Sequence, residues 1–187
     1  MKATTGKKAA LEAFRQLPEL EPPLELFAGR IIQKMSPKLV HSTIQGELFL
    51  NLITYCRPKK LGRVFPELRC TFGGISIVPN LCYFRQDRMP DLTNPVDRED
   101  VLFAPDLIIE ILSRGQTVGE LTRKIRSAIR RGVRLGWLVD EGHRTIHVFH
   151  PTRKAQVLRS GDVLSGEDVL PGFALPLDEM LRWVDEN

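Results

Sequence analysis

The feature that most constrains the fold is an apolar run with an acid inside it, Pro105-Asp106-Leu107-Ile108-Ile109-Glu110-Ile111-Leu112-Ser113. Leu107, Ile108, Ile109, Ile111 and Leu112 make a segment of strand length, bounded by Pro105 before it and Ser113-Arg114-Gly115 after it. A helical pattern follows from about Val118 to Arg131, with Gly132 as its C-cap, and then a second apolar strand, Leu135 to Asp140. A helix joining two core strands implies a right-handed crossover and at least one parallel pair. Glu110 sits in the middle of the first strand. A carboxylate there is costly unless a cation, a metal or several donors compensate it. That cost makes Glu110 a site candidate.

The remaining segments add antiparallel pairs. Leu24-Glu25-Leu26-Phe27 and Arg30 to Met35 flank Ala28-Gly29 as a hairpin. Ser36-Pro37 opens a long helix to about Tyr55, with Ile44, Leu48 and Leu52 at helical spacing. Arg63 to Phe72 and Ile75 to Phe84 read as a second hairpin joined at Gly73-Gly74, with Pro66 and Pro79 marking edges or bulges. Gln86 to Phe103 reads as a loop. Thr145 to His150 returns on Leu135 to Asp140, a short strand lies near Ala155 to Leu158, and Leu177 to Val184 is a closing helix. Thr5 to Leu17 is a first helix, so residues 1–22 form an N-terminal helical extension and 23–187 a single domain. The fold class is α/β, a mixed β-sheet flanked by helices on both faces.

Composition narrows the function classes. Hydrophobic residues are 42% and charged residues 27% of the 187, the balance of a soluble globular domain. No apolar run approaches the ~20 residues of a membrane span, and no signal-peptide segment follows the basic N-terminus, so no membrane partner is expected. Cys56, Cys70 and Cys82 are odd in number, widely spaced and without a CxxC pattern. They support neither a disulfide framework nor a thiolate zinc site, and a reducing cytoplasm fits best. A net charge of +4 permits a polyanionic partner without demanding one.

Spacing limits what the acids can share. On an extended strand Asp106 and Glu110 face one way but lie ~13 Å apart at ~3.3 Å per residue, too far for direct sharing of one ion. The partner of Glu110 must come from a neighbouring strand or helix, and the arm Val78-Pro79-Asn80-Leu81 is the natural neighbour. Lys124 lies at the edge of the apolar stripe Val118, Leu121, Ile125, Ala128 and Ile129. Its ammonium either curls towards the sheet or snorkels over apolar surface. Arg123, Arg126 and Arg130 fall on the opposite face, as a nucleic-acid backbone track or a solvated surface. His41 points inward near the start of its helix, as a site contact or a structural hydrogen-bonding group. Glu47 flanks the Ile44/Leu48 face, as a further ligand or base or as an ordinary boundary carboxylate.

Together these pieces resemble the Uma-type putative restriction endonuclease family, within the PD-(D/E)XK nuclease superfamily. The resemblance runs from about Leu24 to Leu181. It is carried by Glu25-Leu26-Phe27-Ala28-Gly29, Met35-Ser36-Pro37 with His41, Pro79-Asn80, Pro105 to Ser113, Lys124, Gly132-Val133, Trp137-Leu138-Val139-Asp140 and Pro171-Gly172-Phe173. It implies a restriction-endonuclease-like core with a divalent-metal site that cuts phosphodiesters. Glu110 matches the acid of the second half-motif. Leu112 stands in the place of its lysine, which in this family falls on Lys124 of the following helix. Asp106 matches a second recurrent Pro-Asp. The first half-motif departs: the family's Pro-Asp is Pro79-Asn80 here, so one metal-binding charge is replaced by a neutral oxygen.

The expected chemistry is metal-assisted hydrolysis of DNA, with Mg²⁺ or Mn²⁺ on Glu110 and Asn80; Asp106 is either a further catalytic and metal-binding acid, as the resemblance implies, or a structural one, as its distance from Glu110 implies. Lys124 would stabilise charge on the phosphorane or orient the nucleophile. Glu47 and His41 are accessory candidates, and symmetric cutting of both strands favours a homodimer. The departure at Asn80 supports a second reading: a catalytically impaired nuclease fold kept as a nucleic-acid-binding or protein-interaction module.

Overall fold

The computed structural model describes residues 10–89 and 101–185. The expected helix start at residues 5–9 and the part of the expected loop at 90–100 lie outside these. Helical structure is present at 10–15. In chain order the strands are β1 (Leu24–Phe27), β2 (Arg30–Gln33), β3 (Gly62–Pro66), β4 (Cys70–Phe72), β5 (Ile75–Ile77), β6 (Leu81–Arg85), β7 (Leu107–Ile111), β8 (Leu135–Asp140), β9 (Thr145–Phe149), β10 (Gln156–Leu158), β11 (Val163–Ser165) and β12 (Ala174–Pro176). The helices are α1 (Leu39–Cys56), α2 (Val118–Ile129) and α3 (Leu177–Asp185).

The main sheet runs β10-β9-β8-β7-β6-β3. Its β7–β8 pair is parallel, from Leu107↔Leu135 to Ile111↔Val139, and its other pairs are antiparallel. The apolar run around Glu110 is therefore central and buried on both faces, as its composition requires. On one face Leu107, Ile109 and Ile111 pack against Ile44, Leu48 and Leu52 of α1 and Leu177, Met180 and Leu181 of α3. On the other face Ile108 and Leu138 meet Leu121, Ile125 and Ala128 of α2, together with Phe72, Ile75 and Ile77.

That second face also carries a small sheet, β2-β1-β5-β4. Here the expected single hairpin from Arg63 to Phe84 is corrected. Only β3 and β6 pair in the main sheet, from Gly62↔Arg85 to Pro66↔Leu81. The chain between them peels away as β4–β5 and joins β1 at Leu26↔Ser76. The split falls at Pro66 and Pro79, which cannot donate to a ladder, and Glu67 turns the chain with φ +49°. The helix expected from Ser36 starts at Leu39, because Lys38 is extended at φ −110°, ψ 172°. The β11–β12 pair has three residues per strand, too few to show an alternating pattern in the sequence.

Local chemistry fixes α2 against the sheet. Thr117 and Glu120 form a reciprocal capping box, with Glu120 N–H on Thr117 Oγ1 at 3.2 Å and Thr117 N–H on Glu120 Oε2 at 2.9 Å. A Cβ at Gly136 of β8 would lie 2.4 Å from Ile125 Cγ2. Only glycine lets the helix approach this closely, and the approach carries Lys124 inward.

Candidate active site

Lys124 is buried, 2% exposed, on the same face of α2 as Leu121, Ile125 and Ala128. Its ammonium does not snorkel outward. Nζ lies 2.7 Å from Glu110 Oε1 and 2.7 Å from Glu25 Oε1. Glu110 comes from β7 and Glu25 from β1, so the ammonium joins both sheets through α2. Glu25 Oε1 also accepts the Val78 backbone N–H at 2.6 Å. Glu25 is 4% and Glu110 2% exposed. Desolvation pushes the Glu110 carboxyl up to about 7 against the attraction of Lys124, and the charge of Glu25 adds to the rise. Desolvation also pulls on the Lys124 ammonium, but Glu110 and Glu25 outweigh it and raise its pKa above the ordinary lysine value.

Asn80 stands just before β6, beside the C-terminal end of β7. Its Oδ1 accepts the Ile111 backbone N–H at 2.8 Å, and its Nδ2 donates to Glu67 Oε1 at 3.1 Å and His41 Nε2 at 3.0 Å. Because Nδ2 can only donate, His41 Nε2 accepts, and the proton of the neutral ring sits on Nδ1. That Nδ1–H donates to Ser113 Oγ at 2.8 Å. Burial, then the charge of Lys34, lowers the His41 pKa and keeps the ring neutral. Glu67 ion-pairs with Lys34 and accepts from Gln45 Nε2 at 3.1 Å. Lys34, Gln45, Glu67 and Asn80 line an open cleft of about 660 Å³. Lys34 also lines a second cleft of about 400 Å³ with Glu25, Arg123 and Lys124.

Asp106 does not join this group. Its Oδ2 accepts the Arg85 backbone N–H at 3.0 Å, its Oδ1 takes Arg88 Nη1 at 2.6 Å, and Arg134 stands 3.8 Å away. These contacts lie at the opposite end of β7 from Glu110, as strand spacing requires. Glu47 is half-buried on α1, and among the described residues no hydrogen bond of the Asn80 or Lys124 groups reaches its carboxylate. Arg123 and Arg126 on α2 and Arg130 just after it are exposed, with Arg126 over the Phe149 ring at 5.4 Å.

Glu25, Glu67 and Lys34 join the site without being among the residues expected there from the sequence. Glu25 carried the signal used for Glu110, an acid inside the apolar strand Leu-Glu-Leu-Phe. Glu67 and Lys34 carried none, because their role depends on the chain reversal at Pro66.

The donor set suits a divalent cation at Glu110. Glu25 and Glu110 bring two carboxylates to one ammonium, leaving a buried negative excess. Among the described residues Glu110 Oε1 meets the Lys124 ammonium and is left without a further hydrogen-bond partner. Magnesium sites use one or two carboxylates and neutral oxygens, and Asn80 Oδ1 keeps a second lone pair beside β7. A different group, His150, Glu167 and Asp168, also brings ligand atoms within 4.8 Å of one another. Its acids are already met by Arg153 and Arg134.

Comparisons with known proteins bear on the family and the fold. The chain matches the Uma2 family model, described as "Putative restriction endonuclease", over residues 11–178. A crystal structure of a putative nuclease belonging to DUF820 from Anabaena variabilis is 33% identical to it. The two superpose with a TM-score of 0.87, over 93% of this chain and 98% of that one. No curated protein matches the chain.

Proposed function

This chain belongs to the Uma2 family of putative restriction endonucleases, and from that premise we propose that it is a metal-dependent endonuclease hydrolysing phosphodiester bonds in DNA. The observation that carries the reading is the ammonium of Lys124 fixed 2.7 Å from the interior acid Glu110. Such a pair is costly to bury, and Lys124 lines the cleft of about 400 Å³. Glu110, with Asn80 Oδ1, would hold Mg²⁺ or Mn²⁺. A cation bound there supplies polarisation of the phosphate and a lowered pKa for an attacking water.

The protein groups do the rest. Glu25 holds Lys124 from the side away from the main sheet, so the ammonium keeps its place when Glu110 turns to a ligand. Lys124 then offers a fixed positive charge to the developing phosphorane. His41 and Ser113 hold Asn80 in one orientation. Asp106 anchors the turn around Arg88 and takes no part in the hydrolysis. Arg123, beside Lys124, is placed to meet a phosphate. Cutting both strands of a duplex needs two sites, so a homodimer goes with this reading. Three free, buried cysteines support a cytoplasmic location.

One observation favours a second reading. Asn80 uses both amide hydrogens on Glu67 and His41, a pattern that an aspartate could not reproduce. The position is built around the neutral residue, which fits a fold retained for nucleic-acid binding or protein interaction after loss of cleavage. Nicking of supercoiled plasmid with Mg²⁺ or Mn²⁺ separates the two. Cleavage by wild type that disappears in Glu110→Ala supports the enzyme. Cleavage gained only in Asn80→Asp supports the impaired module.

A further inference from the structure

The groove between the C-terminal end of α1 and the edge strand β3 has no part in the site described above. Its volume is about 640 Å³, and Phe49, Ile53, Arg57, Lys60, Arg63 and Phe65 lie on its walls. Arg57, Lys59, Lys60 and Arg63 are all exposed. Among the described residues none of the four is in an ion pair, a property they share with Arg123, Arg126 and Arg130. Lys59 rests on the Tyr55 ring, 3.3 Å from its centroid. Lysines near a helix C-terminus can simply answer the helix dipole, but that account does not reach Arg63 on the neighbouring strand.

The groove has a direction. It follows β3 from Gly62 to Pro66. Pro66 pairs with Leu81, and the next residue, Glu67, donates its backbone N–H to Asn80 O at 3.2 Å. One end of the basic groove therefore opens beside the Asn80–Glu67 cleft. The walls combine aromatic side chains with cations that meet no acid among the described residues, the pairing that single-stranded nucleic-acid channels use.

We propose that this groove binds the phosphodiester backbone of a nucleic acid through Arg57, Lys60 and Arg63 and leads it along β3 towards Asn80 and Glu110. The proposal rests on the nuclease reading and names where its substrate lies, on a different element from the α2 arginines.

The test is fluorescence anisotropy of a fluorescein-labelled oligonucleotide, single-stranded and as a duplex, in EDTA over a salt series. Arg57→Ala/Lys60→Ala/Arg63→Ala is compared with Arg123→Ala/Arg126→Ala/Arg130→Ala. The charge-retaining Arg57→Lys/Arg63→Lys controls for folding. The groove variant should weaken binding and lower the slope of log K against log salt by about 2 for the single strand and about 3 for the duplex, at ~0.7 and ~0.9 per lost contact. The lysine variant should bind like wild type. A groove variant that binds like wild type, whatever the α2 variant does, overturns the proposal and leaves the nuclease reading intact. Wild type that binds neither oligonucleotide overturns both.

Discussion

Asn80 Oδ1 accepts the backbone N–H of Ile111 at 2.8 Å, and that bond orients everything around it. A backbone N–H can only donate, so the amide oxygen is fixed on β7 and the amide hydrogens must face Glu67 and His41. From one residue on a sheet margin follow the tautomer of His41, its hydrogen bond to Ser113 and the neutral state of its ring. Asn80→Asp keeps the bond to Ile111 but sets a second carboxylate against Glu67. In EDTA the variant should lose about 1–3 kcal/mol in urea unfolding. The His41 pKa, read by NMR titration, should rise. Mg²⁺ should restore stability, because the new acid completes a cation site. Unchanged stability in EDTA would contradict the assigned hydrogen-bond directions.

Removing the ammonium should cost more than removing one acid. Lys124→Met leaves Glu25 and Glu110 buried with no cation, and breaking a buried pair this way costs about 3–5 kcal/mol. Glu110→Gln leaves Glu25 paired with Lys124 and removes the excess charge, so its urea midpoint should fall far less. Equal losses would mean that Glu25 does not hold the ammonium.

The same cluster sets a pH dependence. Desolvation raises the Glu110 carboxyl from its ordinary 4.5 to about 7. Between these values the folded state binds the extra proton, so metal-free stability falls as pH rises through this window and the loss is complete above about 7. Glu110→Gln lacks this titration and should gain on wild type from pH 5 to pH 8 in EDTA. Parallel stability curves for the two proteins would remove the desolvation argument.

Asp106 is the structural counterpart of Glu110. Its partners are the Arg85 N–H, Arg88 and the nearby Arg134. Asp106→Asn should cost about 2 kcal/mol, less than a fully buried pair because Arg88 is partly exposed. Mn²⁺ affinity, measured by calorimetry, should not change. A loss of metal affinity would return Asp106 to the ligand set.

Gly136→Ala tests how Lys124 is delivered. The added Cβ would meet Ile125 Cγ2 at 2.4 Å, and such overpacking costs about 1–3 kcal/mol. The thermal midpoint should drop. A neutral substitution would show that α2 has slack against β8.

What the sequence made legible was local. The apolar run around Glu110, the helical stripe with Lys124 at its edge and the glycine after α2 are patterns within short windows, and they place the parallel β7–β8 pair and its crossover helix. The approach of Lys124 to Glu110 could be read because strand and helix are consecutive. Glu25 could not be placed, since its contact with Lys124 depends on the small sheet packing over α2. The small sheet exists because the chain leaves the main sheet at Pro66 and returns at Pro79, and two prolines in a strand pattern say that pairing is interrupted without saying where the chain goes. In the sequence Asn80 stands only as a neutral residue where the family has an acid. Its amide hydrogens become meaningful only with Glu67 and His41 beside it, residues brought there by the turn after β3 and by α1.

The central claim is that Glu110 holds a divalent cation beside the fixed ammonium of Lys124. Mn²⁺ binding, followed by the electron paramagnetic resonance signal of the free ion, tests it most directly in wild type and folded Glu110→Gln. The account predicts a bound Mn²⁺ in wild type that is lost in the variant. Binding of equal strength in both proteins, or in neither, would contradict it.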